Sequence, residues 1–429
     1  MRLGLSKKSP VQSDFQGGVD LFQLTTVVLS FALVPVLDKF KLGLWASLMA
    51  AAAAMAFING FSPMDFVNIF ITVFTAPNSQ NAIFTITAVT IMGTMMKVYG
   101  VLDKIVEGLS AVVHDKRYLI IIIPLLIGCL AVPGGAILSA PFILNLGNEL
   151  GMEKSTSAAA NLVFRHMAMF ALPYSASILL ASSITGIGIM TFIPLNSVFI
   201  IPTFIAGYFI YLRKVPPKIN EEKVPFGPGI KQVLLYTSPI YVCVIVHMVT
   251  GLPLYVSMVS SLIILFFMSP DKQGYGKLFF KSIGFKTIFA AVGVFMIQGV
   301  VSNLDGMIAI FNAMFETGTF MLLAIFLASV FFGLITGFHM ASISIVIPML
   351  MTLELPMGQF MALMYFAYCA AYFGYYFSPL HMCQIFTNEY MGVKIQKLYK
   401  VYRPYVAFMF IHLIVSYFAL SYILPLIFG

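Results

Sequence analysis

The chain has 429 residues, 60% of them hydrophobic and only 9% charged, with a mean hydropathy of +0.97. A soluble globular domain carries about a quarter charged residues, so this composition excludes one and points to a polytopic α-helical membrane protein. The net charge of +8 does not signal nucleic acid, because the cations fall in short clusters beside apolar segments, where they set membrane orientation.

Met1–Gln16 holds Arg2, Lys7 and Lys8 but no apolar core or cleavage pattern, so residues 1–19 read as a basic tail and not a signal peptide. Apolar runs predict helices near 20–37, 41–59 and 80–101, followed by an interfacial stretch with Asp103, Lys104 and Glu107. Residues 118–150 are too long for one span and are cut by Pro133-Gly134-Gly135. Two half-length helices with a tight turn fit better, as a re-entrant hairpin. A long helix over 155–183 is interrupted at Leu172-Pro173-Tyr174-Ser175, and another spans about 188–212. Residues 213–231 form the one extended polar linker, at the middle of the chain.

The second half repeats this plan, with helices expected near 232–249, 252–269 and 287–303 and a short polar-flanked stretch at 305–317. An apolar segment, 318–353, is interrupted around Thr336-Gly337-Phe338-His339. A helix over 357–390 is interrupted at Ser378-Pro379-Leu380-His381, and a last one covers 404–427. Landmarks recur at a nearly fixed offset: Gly93 with Gly299, Gly100 with Gly306, and Pro173 with Pro379 are 206 apart, and Pro141 with Pro348 is 207 apart. The chain thus reads as two repeats, 20–212 and 232–429, each of about five transmembrane helices plus one re-entrant hairpin. An odd number of crossings per half makes the repeats inverted.

Loop charge agrees with that topology. With the linker placed in the cytoplasm, segments 38–41, 102–117, 271–286 and 391–403 are also inside, and each carries Lys or Arg. Segments 60–79, 184–188, 250–251 and 304–317 are outside and hold neither. The basic tail falls outside, against the rule.

Several strings then carry a resemblance: Asn161-Leu-Val-Phe-Arg165-His166, Pro133-Gly-Gly, Ser378-Pro379-Leu-His381-Met-Cys383 and Asn388-Glu-Tyr390. Over roughly residues 20–427 the chain resembles the prokaryotic integral membrane family called domain of unknown function 401. That family is similar to the wider Ion Transporter superfamily of divalent-anion/sodium symporters and citrate and gluconate carriers. The Ser-Asn-Thr hairpin signature of the dicarboxylate carriers is absent. The resemblance implies a scaffold domain and a mobile transport domain of two hairpins and two broken helices, working as an elevator, often as a homodimer. It also implies a prokaryotic inner membrane.

Arg165 is the sharpest candidate. A permanently charged side chain near mid-membrane costs at least ~2.5–3.5 kcal/mol and requires a partner or a wet cavity. Three readings stand open: an anion clamp, a structural tie to helix carbonyls or to Glu149, and a position nearer the interface. His166 suits a proton carrier or a hydrogen-bonded packing role. His339 and His381 fall at predicted breaks, where donors to an anion are useful. Gly134, Gly135 and Gly337 permit close backbone approach, and helix N-termini beyond the breaks suit an anion. Unwound carbonyls with Ser139, Ser175, Ser177, Thr336 and Ser378 offer sodium ligands, and His381 suits coupling by protons. Asn161 and Tyr174 can bond a substrate or simply pack. His381-x-Cys383 alone offers two metal ligands and no third. The four cysteines have no zinc-like spacing and read as packing residues.

The expectation is a secondary active transporter of a small organic anion, coupled to sodium or protons, with no cofactor beyond a sodium ion. Its partners are the anionic solute, the coupling ion, the lipid bilayer and a second copy of the chain. An intramembrane enzyme or flippase acting on a phosphorylated or lipid-linked substrate, and a passive anion channel, are the alternatives. The enzyme reading lacks a nucleophile–base pair or a carboxylate dyad.

Overall fold

A computed structural model describes residues 16–40, 42–129, 136–219, 226–306, 321–353 and 355–428. Pro133, Gly134 and Gly135 lie outside the described residues, as do Glu316 and most of 305–317. Among the described residues the fold is all α, with one isolated bridge between Asp115 and Ile219. Among the described residues, seven helical stretches are long and apolar enough to cross a membrane. Several other apolar helices are shorter.

The first half comprises α1 (Gln16–Lys39), α2 (Leu44–Ile58), α3 (Pro63–Thr75), α4 (Pro77–Val98), α5 (Val101–Val112), α6 (Lys116–Gly128), α7 (Ala136–Glu149), α8 (Lys154–Ala171), α9 (Ala176–Thr185) and α10 (Ile189–Tyr211). The second half comprises α11 (Phe226–Thr250), α12 (Leu254–Met268), α13 (Tyr275–Lys281), α14 (Phe285–Val301), α15 (Met321–Thr336), α16 (His339–Leu350), α17 (Met357–Phe377), α18 (Met382–Met391) and α19 (Ile395–Phe428).

Three expectations change. Residues 60–79 are not a loop, because Ser62 and Asp65 form a capping box around Pro63 and start α3. The basic segment 271–286 contains the short helix α13. The polar linker ends earlier than 231, since α11 begins at Phe226. The helical breaks lie where the prolines put them. Leu172 and Ser378, each before a proline, have ψ of 127° and 129°, outside the helical region. Element bounds recur between the halves: α9 and α18 are offset by 206 residues at both ends, and α2 and α12 by 210.

Packing divides the helices into two groups. Helices α1 to α5 pack with one another and with α11 to α14. Helices α6 to α10 pack with one another and with α15 to α19. The groups meet mainly where α4 touches α9, α14 touches α16 and α1 touches α15. Outer helices leave large apolar side chains uncovered, among them Ile205, Phe209, Val249, Phe267 and Leu426. Such an apolar exterior suits lipid. Helices α8 and α17 are buried almost throughout.

One ion pair pins the boundary of α6. Asp115 caps the helix and binds Arg117 at 2.6 Å, and Arg117 donates to the Val215 carbonyl in the linker. The Arg117 guanidinium holds the Asp115 carboxyl below its usual range.

Candidate functional site

A cavity of about 440 Å³ lies between the two groups of helices. Val34, Trp45, Ile86, Lys286 and Thr287 line it from the first group. The second group contributes the C-terminus of α6, the middle of α8 and three chain breaks: between α8 and α9, α15 and α16, and α17 and α18. Its volume falls within the usual range for small-molecule sites, ~300–1,000 Å³.

Arg165 lies on the wall. It sits eleven residues beyond Lys154, the first residue of α8, which is roughly 16 Å along the axis at 1.5 Å per residue. The side chain is buried, and its Nη1 has no hydrogen-bond partner among the described residues. The tie to Glu149 is excluded as a partner, because Glu149 binds Lys116 at 2.6 Å at the chain surface. Among the described residues no Asp or Glu lines the cavity; Arg165, Lys286 and three histidines do. The charge there is one-sided, and an unpaired buried cation is costly.

The histidines are held by specific contacts. His166 Nδ1 bonds the Leu162 carbonyl at 2.6 Å, so Nδ1 carries the hydrogen and Nε2 faces outward as a lone pair in the neutral ring. That Nε2 lies 3.0 Å from His381 Nε2 and 3.2 Å from the Tyr375 hydroxyl. Cys383 Sγ is close by: its sulfur and ligand nitrogens of His166 and His381 all lie within 4.8 Å of one another. His339 spans the two halves, with Nδ1 2.9 Å from Ser177 Oγ and Nε2 3.0 Å from the Tyr368 carbonyl. Since a carbonyl only accepts, Nε2 carries the hydrogen in the neutral ring, and Ser177 donates to Nδ1.

Gly337 joins the breaks. Its φ is +61°, and a Cβ there would stand 2.7 Å from the Leu380 carbonyl carbon. Only glycine combines this dihedral with so close an approach. Gly128 plays a similar part: a Cβ would overlap the Arg165 carbonyl oxygen, so α6 and α8 touch backbone to backbone at Arg165.

The sequence-derived candidates are thus sorted by position. Arg165, His166, Tyr174, Ser175, Ser177, Thr336, Gly337, His339 and His381 line the cavity. Ser139, Asn161 and Ser378 are buried but lie outside its lining. Ser139 donates to the Ala136 carbonyl, Ser378 to the Leu334 carbonyl, and Asn161 to Thr387. Thr336 donates to the Phe332 carbonyl, the usual helical back-bond. Gly134 and Gly135 lie outside the described residues.

Sequence reasoning missed Tyr375, Cys129, Trp45 and Lys286, and it left Cys383 without a third ligand. Tyr375 had a signal: Tyr368, Tyr372, Tyr375 and Tyr376 repeat at helical spacing and form one buried face of α17. That face packs aromatic rings on His166, His339 and His381, with Tyr375 and His381 centroids 4.2 Å apart. Trp45 and Lys286 had none, since only tertiary packing brings the first turns of α2 and α14 to the cavity wall.

Comparison with curated proteins gives no match to this chain. The pattern of the family described as "Protein of unknown function (DUF401)" matches residues 20–423. The chain therefore belongs to the DUF401 family, and its long apolar helices fit a membrane protein.

Proposed function

We propose that the protein is a secondary active transporter that carries a small organic anion of carboxylate type, coupled to a sodium or proton gradient. One observation carries this reading: buried Arg165, with Nη1 unpartnered among the described residues, lines a cavity whose described lining holds Lys286 and three histidines and no acid. A planar guanidinium is matched to a carboxylate by two parallel hydrogen bonds.

The placement of the cavity supports transport over catalysis. It separates two helix groups that meet along few elements, and the group bearing Arg165 also bears both broken helices. Recurrent element bounds and one-sided loop charge support two inverted repeats, with α6–α7 and α15–α16 as re-entrant hairpins. Discontinuous helices near the bilayer midplane are the usual place for substrate in such transporters. The two groups then act as scaffold and moving body, as in the Ion Transporter superfamily. Trp45 and Lys286 adjoin basic loops, which this topology puts on the cytoplasmic side of the cavity.

The test is uptake of radiolabelled carboxylates by proteoliposomes under imposed sodium or proton gradients. Accumulation above the external concentration, abolished by collapsing the gradient, is expected. Equilibration without accumulation would make the protein a channel, and chemical conversion without uptake would make it an enzyme.

A further inference from the structure

We propose that His166, His381 and Cys383 form a site for one divalent transition metal of the zinc type, with its fourth coordination position open to the cavity beside Arg165. The three residues come from α8 and from the junction of α17 and α18, and all three line the cavity. They were not readable together, because His166 is 215 residues from His381.

Three observations carry the site. First, the Nε2 atoms of His166 and His381 face each other at 3.0 Å. Two ring nitrogens so placed share either a hydrogen that His381 donates to His166 or a metal ion. Tetrahedral zinc with bonds of ~2.0–2.1 Å sets its nitrogens ~3.3 Å apart, so an opening of a few tenths of an ångström admits the ion. Second, the three donor atoms cluster within 4.8 Å. A hydrogen bond between the two rings has no use for a third donor, whereas a metal does. Third, His166 has the outer partner that metal-bound histidines use: the Leu162 carbonyl at 2.6 Å fixes the Nδ1 hydrogen and presents Nε2 as the ligand.

The donor set selects the ion. Two imidazoles and a thiolate suit Zn²⁺ or Co²⁺ and are poor ligands for Na⁺, Mg²⁺ or Ca²⁺, which prefer oxygen. Three protein ligands leave a position for an exogenous oxygen, as in zinc sites that bind a substrate or water. The thiolate offsets one of the two metal charges. The remaining charge adds to that of Arg165, so an anion oxygen fits the open position. Metal binding and transport remain separable, because the metal is measured without any substrate.

The experiment uses the full-length protein in detergent, stripped with a chelator and titrated with Co²⁺ alone. One equivalent should bind per chain, with a near-ultraviolet thiolate-to-cobalt band and the visible bands of four-coordinate cobalt, and Zn²⁺ should bleach both. Cys383→Ser should lose the near-ultraviolet band and weaken binding beyond the ~10–100-fold that outer partners alone command. His381→Gln should lose stoichiometric binding while its thermal midpoint shows an intact fold. Cys129→Ser, at another cysteine on the cavity wall, should keep the full spectrum. Absence of a stoichiometric cobalt spectrum in the parent protein would overturn the site. So would persistence of the thiolate band in Cys383→Ser.

Discussion

Arg165→Met should reduce affinity for the transported anion by about 100-fold or more and leave the protein folded. Hydrogen bonds to charged groups contribute ~1.5–3 kcal/mol each, so loss of a bidentate pair removes ~3 kcal/mol or more, and each 1.4 kcal/mol is tenfold. Methionine keeps an apolar stem of similar reach, so the packing of α8 survives. The effect on stability carries as much information. Breaking a buried ion pair strands a charge and destabilises strongly, but among the described residues Arg165 has no acid beside it to strand. The thermal midpoint of the unliganded variant should therefore match or exceed that of the parent. Isothermal titration and thermal unfolding of the same preparation separate the two quantities. A sharp fall in midpoint with unchanged anion affinity would make Arg165 a structural tie.

Gly337→Ala should destabilise the protein by several kcal/mol and abolish uptake. A left-handed dihedral costs a non-glycine residue ~1–2 kcal/mol. Forcing a methyl group against rigid neighbours costs ~1–3 kcal/mol more. The neighbours of Gly337 are Leu380 backbone atoms at 2.7 and 2.8 Å, which cannot rotate away as a side-chain tip can. Gly186→Ala is the matched control: its φ is +72°, and no atom lies within 4 Å of a Cβ there. It bears the dihedral cost alone. Thermal unfolding of both variants should show the larger loss at Gly337. Equal losses would mean that the contact between the breaks contributes nothing, and that the α15–α16 and α17–α18 junctions are not one unit.

What could be read from the chain alone follows a physical division between local and non-local causes. Proline acts on its own neighbourhood, so Pro173 and Pro379 announced the breaks that end α8 and α17. The start of α3 was equally local, since Ser62-Pro63 and Asp65 spell a capping box, but the polar flanks of 60–79 hid it. Depth in the apolar run marked Arg165. The meeting of His166 with His381 and Cys383 lay beyond such reasoning, because it depends on α8 and α18 packing together across half the chain. The same holds for Gly337 against Leu380: the positive dihedral is a property of glycine, whereas the close approach belongs to the tertiary fold. Glu149 shows the converse error. It was a reasonable partner for Arg165 by residue type, but α7 carries it to the surface and Lys116.

The central claim is that an anion is held by the Arg165 guanidinium in the cavity between the two helix groups. An experimental density map of the protein with its transported carboxylate bound tests this most directly. The expected map has ligand density within hydrogen-bond distance of the Arg165 guanidinium, bounded by His166, His339 and Tyr375. Ligand density elsewhere, or a guanidinium bonded to protein groups with the ligand present, would contradict it.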